Sequence, residues 1–121
     1  MVVHETGHIL SLPDMQGRAP GNGVGSFDSM GNSWGLDASA HCPPMLSPHS
    51  KMRLGWIDLV RADKGGGGMI SLRSSYNFTN VILIDHGFPN PETEYILLKN
   101  RRAVGFDGGL GEGGISNWHI D

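Results

Sequence analysis

The pattern of apolar positions changes its period once along the chain. Apolar Val2, Val3, Ile9, Leu10 and Leu12 surround two histidines, and this stretch reads as a helix over 2–12. Pro13 closes it, because the residue before a proline is steered away from helical angles. From Asp14 to Pro44, Gly, Ser, Asn, Asp and Pro dominate, which predicts a long ordered loop. Loops of that length inside compact domains are uncommon and usually functional. A short second helix follows, with Ser47 as N-cap, Pro48 at the first helical position, Lys51 to Leu54 in its body and Gly55 as its stop. Trp56 to Val60 continues as extended or core-facing chain.

The four glycines Gly65 to Gly68 mark a hinge or tight loop, and beyond them the period becomes that of strands. Four are expected, over 69–73, 81–85, 94–99 and 115–120, with Pro89-Asn90-Pro91 breaking the second from the third. No internal repeat is present. Helices first and strands afterwards make an α+β pattern rather than an alternating βαβ one. Residues 1–62 would hold both helices and the long loop, and 63–121 the β-rich part of the same domain. Trp34, Trp56 and Trp118 read as core aromatics, and Arg101-Arg102 as a solvated strand end.

Composition refines this picture at three points. Glycine is in excess, 19 of 121 residues against a usual share of roughly 7%, and without a collagen period it signals irregular surface loops. A formal charge of −3 with no Lys/Arg cluster argues against a nucleic-acid or anionic-membrane partner. No apolar run approaches the roughly 20 residues that span a bilayer. The single cysteine, Cys42, excludes an internal disulfide and leaves the redox compartment open.

The chemistry lies in the first helix, in His4-Glu5-Thr6-Gly7-His8. His4 and His8 are four apart, so a helix sets them on one face, one turn apart. Two imidazoles so placed can both reach a metal at about 2.0–2.1 Å. Glu5 projects about 100° around the helix from His4, beside such a metal rather than on it. There it can accept a proton from water that the metal polarises and pass it to a leaving amine. By chance alone the pentad should arise on the order of a few times per thousand chains of this length. Catalytic zinc normally takes three protein ligands. Glu92, Glu94 and Glu112 stand in strand or glycine-rich stretches, which disfavours a glutamate from a second helix as the third. Asp14, six residues beyond His8, is a competent oxygen ligand; His41 and His49 are the next candidates.

These residues and their surroundings resemble the immune inhibitor A family of secreted bacterial zinc metallopeptidases. The matching stretches are HETGHILSLPD (4–14), GSFDSMGNSWG (25–35), LSPHSKMRLGW (46–56), EYILLKNRRAVGFD (94–107) and GGISNWHID (113–121). The resemblance implies the lower half of a metzincin-like catalytic domain, with zinc held by His4, His8 and Asp14. Glu5 would be the general base and acid, and Met30 the methionine of the turn beneath the metal. An extracellular setting and protein or peptide substrates are likewise implied by the family. Calcium is a further candidate ion because of the Asp/Asn/Gly-rich loops, although none has EF-hand spacing.

The sequence departs from the family twice. Ser11 stands where members usually have glycine, at the bend before Asp14, and a positive φ there would cost serine about 1–2 kcal/mol. Asn32 stands where many metzincins place a carbonyl-polarising tyrosine, so no oxyanion residue is assigned. His86 reads as a strand-end residue and His119 as a packed or hydrogen-bonded structural one. The expected function is zinc-dependent endopeptidase activity. The alternative is an inactive remnant with a structural or peptide-binding role, since the motif helix begins almost at Met1 and a fragment of a catalytic domain is expected.

Overall fold

The computed structural model of the protein describes residues 2–17, 23–32, 34–39, 41–65 and 67–121. Helix α1 spans Val2–Ile9 and α2 spans Pro48–Arg53; strands β1 (Asp58–Arg61), β2 (Asn80–Ile84), β3 (Tyr95–Arg101) and β4 (Gly114–Ile120) follow. Short 3₁₀ turns occupy Gly25–Phe27 and Gly105–Leu110. The four strands form one mixed sheet in the order β1-β2-β3-β4, the first pair parallel and the others antiparallel. The class is therefore α+β. Among the described residues, no helix is long and apolar enough to cross a membrane.

Both helices stop by the same device. The N–H of Ser11 donates to His8 O (2.9 Å) and that of Leu12 to Gly7 O (3.0 Å). Likewise Gly55 N donates to Met52 O and Trp56 N to Lys51 O. These paired bonds are the Schellman motif, which needs a left-handed residue after the helix. Gly55 has φ 70° and Ser11 has φ 65°. Helix α1 thus ends at Ile9, before the expected Leu12, because the turn at Ser11 stops it upstream of Pro13. At the other end of α2 the Ser47 hydroxyl accepts from Ser50 N (3.1 Å), with Pro48 next in line, as its sequence predicts.

Three of the expected strands form, each within one or two residues of its predicted bounds. The stretch 69–73 does not. Met69 is fully exposed, and this segment meets the sheet only through a bridge from Ser74 to Asn100, helped by Asn100 Nδ2 donating to Leu72 O (3.0 Å). Alternation alone makes no strand without a neighbour's ladder, and β2 and β4 already occupy both sides of β3 over 96–98, which leaves only its end at Asn100 for this segment to meet. Residues 58–61 form the extra strand instead, pairing in register with 80–83 as an exposed edge. The expected glycine hinge falls partly outside the described residues, at Gly66.

The apolar core is small: Leu12, Met30, Val81, Ile82 and Leu97. Trp34 and Trp56 lie on the surface, 58% and 53% exposed, and so are not core aromatics. Polar groups fill much of the interior. Along β3 the buried side reads Leu97, Lys99, Arg101, and it faces α2 and the loop before it. Arg101 is not a solvated strand end: its guanidinium makes a bidentate pair with buried Asp107 (2.6 and 3.0 Å) and donates to Phe27 O. Arg102 is exposed, as expected.

Candidate metal centre

Helix α1 sets His4 and His8 one turn apart, and their Nε2 atoms come within 3.0 Å of each other. Because the Schellman turn reverses the chain, Pro13 and Asp14 run back toward the histidines. Asp14 Oδ1 then lies 3.1 Å from His4 Nε2 and 3.5 Å from His8 Nε2. Ligands of a tetrahedral ion at 2.0–2.1 Å are separated by about 3.3–3.4 Å. The three observed edges bracket that value.

The far side of each ring is also accounted for. His4 Nδ1 lies 3.0 Å from Ser29 O and His8 Nδ1 lies 2.9 Å from Leu12 O. A carbonyl oxygen only accepts, so each Nδ1 is the donor there, and in the neutral ring Nε2 is then the atom with a lone pair to offer. Two lone pairs and a carboxylate oxygen converging on one point repel one another unless a metal ion or a proton is shared between them. Such backbone partners are also how metal-binding histidines are usually oriented. The donor set fits a small divalent ion that accepts nitrogen and oxygen, zinc among them.

The site rests on Met30. Its side chain is fully buried under α1, and a Cβ on Gly7 would lie only 2.4 Å from Met30 Sδ. Any larger residue at position 7 would therefore force the Met30 side chain to shift. Asp28 holds that turn. Its Oδ1 accepts from Met30 N (2.7 Å), and its Oδ2 accepts from Ser47 N (2.9 Å) and the Ser50 hydroxyl (2.7 Å). Ser29, between them, supplies the carbonyl that orients His4, while its hydroxyl donates to Pro44 O. Sequence reasoning missed Asp28 and Ser29. The only local signal was their place beside Met30.

The remaining candidates lie elsewhere. Glu5 is exposed on α1. Among the described residues, His4, His8 and Asp14 are the one group of three that could hold a metal, and neither His41 nor His49 joins it. Glu92, Glu94 and Glu112 do not join it either. Glu94 instead pairs with His119 Nε2 (3.1 Å), whose ring stacks on Phe88, so His119 is hydrogen-bonded as expected. Asn32 is tied into its own turn, donating to Ser26 Oγ and Gly35 O and accepting from Trp34 N. Cys42 is exposed and unpaired by any disulfide. Comparison of the chain with protein-family models, with curated proteins and with solved structures finds no match.

Proposed function

We propose that this chain is the metal-holding part of a zinc-dependent endopeptidase of the immune inhibitor A kind. His4, His8 and Asp14 hold the ion, Glu5 acts as general base and acid, and Met30 supports the site from below. One observation carries the reading: His4 Nε2, His8 Nε2 and Asp14 Oδ1 converge at zinc-ligand spacing, with both Nδ1 atoms already committed to backbone carbonyls. A histidine pair kept for packing alone would have no need of a carboxylate returning to the same point.

When bound, zinc supplies Lewis acidity that polarises a peptide carbonyl and acidifies water. The protein does the rest. Its backbone carbonyls fix the tautomer and orientation of each imidazole. The Glu5 carboxylate, next to His4 but turned from the ligand point, takes a proton from the attacking water and delivers it to the leaving amine nitrogen. That water adds to the carbonyl carbon, the C–N bond breaks, and a carboxylate and an amine leave. Zinc content tests the reading most directly. The purified chain should carry about one zinc per molecule by elemental analysis, lost on chelation and in His8→Ala. A chain that takes up no zinc under saturating conditions would instead be the inactive remnant.

A further inference from the structure

A second site lies away from the histidines, between α2, β3 and the segment before β2. It is a cleft of about 240 Å³ whose lining includes Lys51, Lys99, Trp56, Tyr76, Phe78 and Val81 and contains no carboxylate. Lys99 is 1% exposed on the buried side of β3, and Lys51 is half-buried on α2. The Lys99 ammonium donates to Leu46 O at 3.2 Å, and its other near polar neighbour is the Lys51 amine. An ammonium has three donors.

Charge balance around this pair is poor. Lys51, Lys99 and Arg101 are faced by two carboxylates, Asp107 and Asp28. Asp107 is taken by the bidentate bonds of Arg101 and by Met45 N, and Asp28 by Met30, Ser47 and Ser50. Neither accepts a hydrogen bond from a lysine, and the partial offset that Asp107 gives both is outweighed at Lys99 by burial and by the neighbouring cations. Burial, then the charges of Lys51 and Arg101, push the Lys99 ammonium down to about 7, against 10.5 for an ordinary lysine. An uncompensated buried cation is costly, and an anion entering the cleft would relieve it. The walls choose the kind of anion. Trp56, Tyr76 and Phe78 offer apolar faces, which suit a ring or short alkyl body and give nothing to a bare phosphate. The volume is below the roughly 300–1,000 Å³ of pockets for larger ligands.

We propose that this cleft binds a carboxylate carried on a small apolar body, its oxygens on the Lys51 and Lys99 ammonium groups and its body against the aromatic wall. The carboxylate could belong to a free aromatic acid or to the C-terminus of a peptide ending in phenylalanine. Calorimetry on the full chain tests this, in chelator so that carboxylates cannot bind at the histidine site. Benzoate and acetyl-Ala-Ala-Phe are titrated beside their uncharged amides, and inorganic phosphate is titrated alone. At least one carboxylate should bind at least about tenfold more tightly than its amide and than phosphate, a difference of about 1.4 kcal/mol; the tighter of the two names the source. Lys99→Met should cost at least about tenfold in that affinity. Lys51→Gln, at a half-buried position, should give a comparable loss whether or not the change at Lys99 disturbs folding. Equal binding of acid and amide, phosphate binding as tightly as the acids, or no binding at millimolar concentration would each overturn the proposal.

Discussion

Helices α1 and α2 end in the same turn but are held in opposite ways. Around α1 most polar contacts that bring the three side chains together are short in sequence: His4 to His8, His8 to Leu12, and Asp14 back to both. Only Met30 and the Ser29 carbonyl come from farther away. Around α2 the contacts are long in sequence. Asp28 reaches Ser47 across 19 positions, Lys99 reaches Leu46 across 53, and Asp107 reaches Met45 across 62. The first region converges its polar groups on one point and leaves His8 and Asp14 partly open to solvent. The second uses buried polar groups to fasten loop, helix and sheet together. Function and stability should therefore be separable by mutation.

The sharpest break lies in α1. Glu5→Gln should lower peptide cleavage by roughly 10²–10⁴-fold while zinc content stays at wild-type level; loss of zinc together with activity would mean that Glu5 has a structural task. A matched pair then tests the comparison itself. Asp28→Ala strands the Met30 and Ser47 N–H groups and the Ser50 hydroxyl in the interior, and should cost about 3 kcal/mol or more in denaturant unfolding. Asp14→Ala removes a carboxylate whose side chain is 60% exposed; in chelator it should change stability by no more than about 0.5 kcal/mol. Similar losses in the two variants would erase the distinction between the regions.

Two smaller effects sharpen it. Between about pH 7 and 10.5 the unfolded chain keeps the Lys99 proton while the folded one releases it, so the unfolded state binds more protons. Stability in chelator should accordingly rise with pH across that window, and Lys99→Met should flatten the slope. A slope unchanged by the substitution would mean that Lys99 is not its source. Last, Ser11→Gly should stabilise the protein by about 1 kcal/mol, since glycine takes the left-handed angle without the Cβ penalty that serine bears. With that change α1 would end as α2 does at Gly55. A destabilisation in thermal melts would show that the Ser11 side chain contributes more than its strain costs.

The same contrast separates what was readable in the chain from what was not. The convergence of His4, His8 and Asp14 was legible because helical periodicity and one turn connect residues 4 to 14, and both obey local rules. The Ser47 cap, the Gly55 stop and strands β2, β3 and β4 were legible for the same reason. The family likeness was read from sequence stretches alone, and the comparisons add no relative that bears on it. Strand β1 was read only as extended chain, since nothing local says that 58–61 will find 80–83. The alternation over 69–73 misled because a strand exists only beside another strand.

By itself, then, the sequence determined which groups could meet a metal and how α2 starts and stops; where α1 stops depended on whether Ser11 would accept a strained angle. Tertiary structure alone decided that Asp28, Lys99, Arg101 and Asp107 would be buried. A charged side chain reads as solvated until its partner is known; Arg101 and Asp107 pair six positions apart, but the contacts that bury them and Lys99, to Phe27, Met45 and Leu46, lie more than fifty positions away. Burial of a charge depends on what the fold brings beside it, whereas the spacing of two ligands on one helix turn depends only on the helix.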